Sequence, residues 1–368
     1  MATISFLLPT LGGGGAERVS VDLAREFHAS GHRVEFALLS LEGALIAEAG
    51  SFAEIISLNL SRIRYLPFGL RRYISCRRPD WIVVSMWPLT ALVPCLVRFF
   101  GFSTKVLVSE HCIISEQYRW RGWGYHVMMK LFAGVGYRCA HRRVGVSRAI
   151  IRDISRIAML PQHRFNLVFN PLRRFNLGFG GDAPLVTWPP YAKIRILSVG
   201  NLSRVKNHAL LLKAVHYLRS YSAHLIILGE GEQRDRLIKL IELYDLTKYV
   251  QLPGFIENPG PYYKSCDIFA LSSDYEGFGN VLVEALSFGR RVISTNCLGG
   301  PREILAEGEF GRLVPVGDPL AMAIGIVREM SRPPDASLLR IRASHFSCPN
   351  VANRYLALMD IKTVEVNA

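Results

Sequence analysis

Short apolar runs of strand length recur along this chain, each followed by a segment long enough for a helix, and the alternation happens twice. In the first half the runs are TISFLL, RVEFALL, WIVVS, KVLVSE and RRVGVS; in the second they are IRILSVG, HLIILG, YVQLPG, DIFALSS and RRVIST. Between the halves lies NPLRRFNLGFGGDAPLVTWPPYAK (170–193), with four prolines, three glycines and little periodicity, a linker by composition. A parallel strand pair needs a helix-length crossover, so this alternation implies parallel sheets wrapped by helices. A length of 368 residues suits two domains of medium size. Two such domains are expected to face each other across a cleft, with ligands at the carboxyl ends of the strands.

Half the residues are hydrophobic and 20% are charged, a globular composition that excludes a disordered chain. The seven cysteines are scattered, without a C-x-x-C pair or a histidine at zinc spacing, and read as reduced thiols. The opening MATISFLLPTLGGGG lacks a basic n-region and a long apolar core, so no signal peptide is expected and the cytoplasm is the expected compartment. The stretch Trp81 to Phe102 has 17 uncharged residues before Arg98, near the lower limit for a membrane span. Pro88, Pro94 and the strand-like WIVVS favour a buried strand followed by a short helix.

Charge is unevenly spread. Residues 1–185 hold 23 Lys and Arg against 12 Asp and Glu, a net +11, and residues 186–368 hold 21 against 18, a net +3. A one-sided positive field points to an anionic partner for the first half: acidic lipid headgroups, a phosphorylated acceptor or nucleic acid. In EQYRWRGWGYH (116–126), Arg119 and Arg121 alternate with Tyr118, Trp120, Trp123 and Tyr125. That mixture suits a headgroup layer or stacking on single-stranded nucleic acid, and equally a solvated arginine face over core-packed tryptophans.

Two loops carry the chemistry. Gly12 to Gly15 precede a helix and let the backbone approach a bulky ligand, and the helix N-terminus favours an anion; a flexible turn accounts for the same glycines. This loop is neither a Walker A motif nor a clean dinucleotide fingerprint. The second loop, SSDYEGFGNVLVEAL (272–286), sets Glu276 and Glu284 eight positions apart in an apolar setting. Buried carboxylates need partners. Eight helical positions would span ~12 Å, which does not exclude a glycosidase pair, but nothing supports one. Recognition is the better role: carboxylates accept from paired hydroxyls, and the backbone amides of 277–281 suit a phosphate, which together describe a nucleotide-sugar site.

The chain resembles the retaining glycosyltransferases of family 4, through the E-x7-E signature Glu276-GFGNVLV-Glu284 followed by Ala285, Gly289 and VIST. LPTLGGGGAERVSVDLA, SVGNLSRVKNHALLLKA, ILGEG, LPGF, GG-PREIL and FGRLVPVGD resemble further landmarks, so the likeness covers nearly the whole chain. It is most similar to members that extend polyprenyl-diphosphate-linked or lipopolysaccharide saccharides in bacterial envelope assembly. The resemblance implies the α/β GT-B fold, two facing Rossmann-like domains with parallel sheets and an interdomain cleft. Residues 1–175, joined by a C-terminal helix 350–368, would bind the acceptor, and 176–349 the nucleotide sugar.

The resemblance also implies roles. Lys206 would neutralise the donor diphosphate. The family has an arginine where this chain has Asn201, and Arg204 in the same loop is the candidate replacement. Glu276 would hold donor-sugar hydroxyls and Glu284 the ribose. Phe278, Gly279 and Asn280 would contact sugar or phosphate through their amides, and Gly14 and Gly15 would lie beside the diphosphate. His111 stands where members often place an acceptor-side polar group; a histidine packed at a strand end fits it as well. Asp274 and Glu276 look like a metal-binding D-x-D, but the resemblance gives that position to the loop before the sugar, so no cofactor or essential metal is expected. The implied activity is transfer of a hexose or N-acetylhexosamine from a UDP-sugar to a lipid-linked saccharide, by an enzyme peripheral on the anionic inner face of the plasma membrane. Two rivals are a Rossmann-type NAD-linked oxidoreductase, against which the missing dinucleotide fingerprint counts, and a basic nucleic-acid-binding protein, against which the charge asymmetry and the sugar-site motif count.

Overall fold

The computed structural model describes residues 1–60, 62–175, 186–333 and 335–361. Residues 176–185 of the expected linker and 362–368 of the expected terminal helix lie outside the described residues. The chain divides into two compact units, Met1–Arg173 with Phe346–Ala368, and Arg174–His345.

Among the described residues, the first unit holds a sheet of seven strands: β1 (Thr3–Leu8), β2 (Arg33–Leu38), β3 (Glu54–Ser57), β4 (Trp81–Ser85), β5 (Lys105–Glu110), β6 (Arg142–Gly145) and β7 (Asn166–Leu167). They pair in parallel in the order β3-β2-β1-β4-β5-β6-β7, with Phe6 of β1 opposite both Phe36 and Val83. Strand alternation sends Ile4, Phe6 and Leu8 into one apolar cluster with Phe27 and Tyr355, and Leu7, Ile82 and Val84 into another with Leu66 and Tyr137. Both faces are therefore covered, which is why these strands read as continuous apolar runs. Each such side chain contributes about 1.5–3 kcal/mol by leaving water. The buried charged residue of β2, Glu35, is satisfied: it accepts from Tyr73 Oη at 2.9 Å and Arg77 Nη2 at 2.7 Å. The chain returns to this unit at its end, where helix Cys348–Leu358 packs on helix Gly15–Ala29.

The stretch that tempts a membrane reading folds as β4 and helix Leu89–Phe99, the strand and short helix expected of it. Among the described residues no helix is long and apolar enough to cross a membrane.

The second unit repeats the scheme with β8 (Ile194–Val199), β9 (Ala223–Leu228), β10 (Val250–Gly254), β11 (Ile268–Leu271), β12 (Arg291–Thr295) and β13 (Arg312–Val314), all parallel, in the order β10-β9-β8-β11-β12-β13. In both sheets the chain winds outward from the first strand, then jumps to its other side. The strand order thus reverses between β1 and β4, and again between β8 and β11. Crossover connections diverge at such a point and leave a crevice at the carboxyl ends of the two strands.

Candidate functional site

The loops that leave β8 and β11 meet at the switch point of the second sheet. After β8 comes Gly200-Asn-Leu-Ser-Arg-Val-Lys206; after β11 comes Ser272-Ser-Asp-Tyr-Glu276. Backbone bonds hold them together: Asp274 N–H donates to the Val205 carbonyl at 2.8 Å, and Ser272 Oγ donates to that of Lys206, also at 2.8 Å. The side chains then converge. Lys206 Nζ lies 2.5 Å from Glu276 Oε1, and Ser273 Oγ donates to the same oxygen at 2.6 Å. Glu276 is buried, and the partners that such a carboxylate needs are an ammonium and a hydroxyl.

Glycines let neighbouring backbones close on this turn. Gly299 has φ of 137°, and a Cβ there would lie 1.9 Å from the Glu276 carbonyl oxygen; one at Gly300 would lie 2.3 Å from that of Phe278. Glu276 N–H donates to the Leu298 carbonyl at 2.9 Å, and Thr295 Oγ1 to that of Ser273 at 2.6 Å. The loop after β12 thus fixes the turn from behind. Gly279 has φ of 102° and caps helix Asn280–Ser287, a conformation that L side chains rarely adopt, so the last glycine of E-G-F-G is required where it stands. The helix directs its positive N-terminal end to the turn at Phe278–Asn280. Glu284, one turn further, is buried and accepts from Tyr263 Oη at 2.8 Å. Asp274 accepts from Asn207 Nδ2 at 2.8 Å, so the two carboxylates of the D-x-E have different partners.

Asn201 and Arg204 share the Lys206 loop but not its inward course. Both are exposed, and Arg204 lines a small surface pocket with Asn207, Gln233 and Arg236. Sequence reasoning missed Ser273 and Tyr263, the neutral partners of the two glutamates. The Gly299-Gly300 pair entered the sequence reading only as part of the GG-PREIL landmark, and the backbones it lets approach were not read.

Gly14, Gly15 and His111 belong to the first unit, at the carboxyl ends of β1 and β5. Gly14 N–H donates to Glu17 Oε2 at 2.6 Å, and Glu17 Oε1 accepts from Thr10 Oγ1 at 3.0 Å. This capping arrangement starts the helix at Gly15, within the glycine run expected to precede it, and leaves the glycines exposed. It also occupies the Gly14 amide with a carboxylate. His111 Nε2 lies 3.0 Å from Ser109 Oγ, which is 2.8 Å from Tyr355 Oη. Burial lowers the His111 pKa to about 4, against the opposing bond from Asn170, so the imidazole is neutral at physiological pH.

Beside it, burial raises the Glu110 pKa to about 7, opposed by bonds from Thr90 and Tyr137. The folded state therefore holds a proton that the unfolded chain releases above its ordinary value of 4.5. Glu110 stabilises the fold below pH 4.5 relative to higher pH, and that contribution falls as pH rises to about 7. Glu110→Gln, which stays neutral, is expected to gain stability relative to wild type by about 1 kcal/mol per pH unit in that window and nothing further above it. Denaturant titrations at stepped pH check this; a constant difference between the two proteins would refute it.

Comparison with known proteins places the chain. A family model described as Glycosyltransferase Family 4 matches residues 13–172, and one described as Glycosyl transferases group 1 matches residues 189–343. The N-acetylgalactosamine-N,N'-diacetylbacillosaminyl-diphospho-undecaprenol 4-alpha-N-acetylgalactosaminyltransferase of Campylobacter jejuni is 30% identical over 69% of this chain and 65% of its own length. The lipopolysaccharide core biosynthesis glycosyltransferase LpsE of Rhizobium meliloti is 30% identical over 51% of this chain and 53% of its own. The chain thus spans less than two thirds of either relative. Among solved structures, Anabaena HepE in complex with UDP-glucose superposes with a TM-score of 0.80 at 18% identity, covering 98% of this chain and 100% of that one. Two parallel sheets of this strand order, two successive domain matches and these relatives agree: the chain belongs to the family 4 glycosyltransferases and has their two-domain GT-B fold.

Proposed function

We propose that this protein is a retaining glycosyltransferase that moves a hexose or N-acetylhexosamine from a UDP-sugar to a lipid-linked saccharide in bacterial envelope glycan synthesis. The observation that carries the reading is the Lys206–Glu276 pair at the second switch point, a cation and a carboxylate presented together where a donor's diphosphate and sugar hydroxyls need them. The Campylobacter relative, named for a diphospho-undecaprenol acceptor, supports the lipid-linked substrate, and the UDP-glucose complex of HepE supports the donor.

In this reading the anomeric C–O bond breaks and its electron pair leaves on the diphosphate oxygen. Lys206 and the N-terminal end of helix Asn280–Ser287 stabilise that growing charge more than they stabilise the bound donor. Glu276 orients the sugar through its hydroxyls while the ring becomes oxocarbenium-like, and Glu284, backed by Tyr263, holds the ribose. The acceptor hydroxyl attacks the face the diphosphate leaves, and its proton passes to the departing phosphate oxygen. No separate base and no essential metal take part. Arg204 is proposed as the second cation, Asn201, Phe278, Gly279 and Asn280 as donor contacts, Gly14 and Gly15 as neighbours of the diphosphate, and neutral His111 as an acceptor-side polar group. The +11 first half supports attachment at an anionic inner-membrane surface.

UDP at about 100 times its Kd is expected to add roughly 2.7 kcal/mol of stability, seen as a raised Tm, with NADH giving no shift. Hydrolysis of UDP-glucose, UDP-galactose, UDP-GlcNAc and UDP-GalNAc then identifies the donor. Stabilisation by NADH alone, or co-purifying RNA with no UDP response, would favour one of the rival classes.

A further inference from the structure

We propose that helix Trp123–Cys139 is a membrane-insertion element whose outer face seats in the interfacial layer of an anionic lipid surface. The proposal rests on the lipid-linked acceptor above and deepens it: it assigns the surface and adds an apolar, salt-resistant component to the attachment.

Trp123, Val127, Leu131 and Val135 recur at four-residue spacing along this helix, and Met128 and Phe132 extend the stripe. At about 100° per residue these six side chains share roughly half the circumference. All are exposed, Trp123 at 82%, Leu131 at 62% and Val135 at 58%. One exposed leucine is ordinary, but six apolar side chains on one helical face are not. The opposite face is fixed. Met129, Ala133, Gly136 and Tyr137 are buried, and Tyr137 Oη bonds to both Thr90 and Glu110. A Cβ at Gly136 would lie 2.3 Å from the Ala91 carbonyl oxygen, so this helix and helix Leu89–Phe99 touch backbone to backbone. The stripe is thus held outward by a rigid inner face.

Charge names the occupant. From Arg119 to Arg152 the chain has eight Lys and Arg and no Asp or Glu. Lys130 is exposed on the helix, and just before it Trp120 is 72% exposed with the Arg121 guanidinium 4.1 Å from its ring centre. Apolar residues with tryptophan at one end and cations beside them match a headgroup layer over acyl chains. A second copy of this chain would bring an identical cationic rim against the first, and the like charges would repel.

The test is co-sedimentation of the full chain with phosphatidylcholine vesicles, with and without phosphatidylglycerol, at low salt and at about 0.5 M salt, where surface charges are largely screened. Wild type is expected to bind best with phosphatidylglycerol and to keep a salt-resistant fraction. Leu131→Glu/Val135→Glu is expected to lose that fraction by roughly tenfold, because two carboxylates now face the acyl chains. Arg119→Glu/Arg121→Glu should lose mainly the salt-sensitive part. Both pairs are on the surface, and unchanged Tm values would confirm folding. Wild-type binding that vanishes at high salt, or a stripe variant that binds like wild type, overturns the proposal. So does a wild-type dimer that the stripe variant makes monomeric, since a second copy would then cover the face. The vesicles carry no acceptor, so UDP-sugar hydrolysis in the same samples reports separately on the functional reading. Turnover with no stripe effect refutes insertion alone, and a stripe effect with no turnover refutes the enzyme reading alone.

Discussion

Glu276→Gln is expected to lower sugar transfer by about 10²–10³-fold while UDP affinity changes little, the mark of a group that acts mainly in the transition state. The structure gives the reason for the size. Glu276 is buried, and one of its oxygens already receives both Lys206 Nζ and Ser273 Oγ. A neutral amide keeps the shape but loses the charge that opposes the ammonium and that, in the proposed role, draws hydroxyl protons from a sugar. Water cannot substitute at a buried site. Glu284→Gln is expected to differ in kind. Its carboxylate is oriented by Tyr263 Oη at 2.8 Å, and its proposed partner is the ribose, bound equally in ground and transition states. The expected result is weaker UDP by roughly tenfold, as for a lost hydrogen bond to a charged group, with a smaller change in kcat. Isothermal titration with UDP and initial-rate kinetics on the two variants separate the roles. Normal UDP binding and wild-type transfer in both would move the site elsewhere.

The alternation of strands and helices was legible because burial on both faces makes parallel strands continuously apolar, as β4, β5, β8, β9 and β11 are. The short strands β3, β7 and β13 were not read. All three lie at sheet edges, where one side lacks a neighbour and burial is partial, so their sequences carry little pattern. The helix from Trp123 was also passed over. Its apolar residues fall on both faces, and a pattern that marks a half-buried helix by contrast has nothing to contrast with. Core packing of the tryptophans in 116–126 was one reading of that segment; Trp120 and Trp123 are in fact exposed.

The acidic half of the site was legible for a different reason. A carboxylate in an apolar run is costly, so Glu276 and Glu284 announce themselves. Ser273 and Tyr263 do not, since a serine at a strand end and a tyrosine in a short helix are ordinary residues. Their importance arises only when β11 and helix Gly260–Ser265 bring their hydroxyls to the two carboxylates. That Lys206 would touch Glu276 was equally hidden, because 70 residues separate them and only the strand order makes them neighbours.

That contact shapes the second large effect. Lys206→Ala is expected to reduce kcat by about 10²–10³-fold, since it removes the cation proposed to meet the departing diphosphate. It should also lower stability. Removing one partner of a buried pair costs about 3–5 kcal/mol, but Lys206 is partly exposed and screened, so about 1–3 kcal/mol is the better expectation. For a unit of this size that is a Tm several degrees lower. The cause is a carboxylate left with only Ser273 to answer it, and the double variant Lys206→Ala/Glu276→Gln removes that cause. It should regain part of the lost Tm while remaining as inactive as either single variant, because two groups that act together on one bond do not lose their effects additively. Arg204→Ala supplies the control: an exposed arginine leaves Tm unchanged, so a lowered rate there would assign it the second phosphate contact, and a wild-type rate would leave Lys206 as the loop's acting cation. Thermal melts and kinetics on wild type and the four variants decide the matter. If Lys206→Ala transferred sugar near the wild-type rate, or if the double variant were less stable than Lys206→Ala, the pair would be neither the donor's anchor nor the electrostatic unit inferred from its 2.5 Å separation.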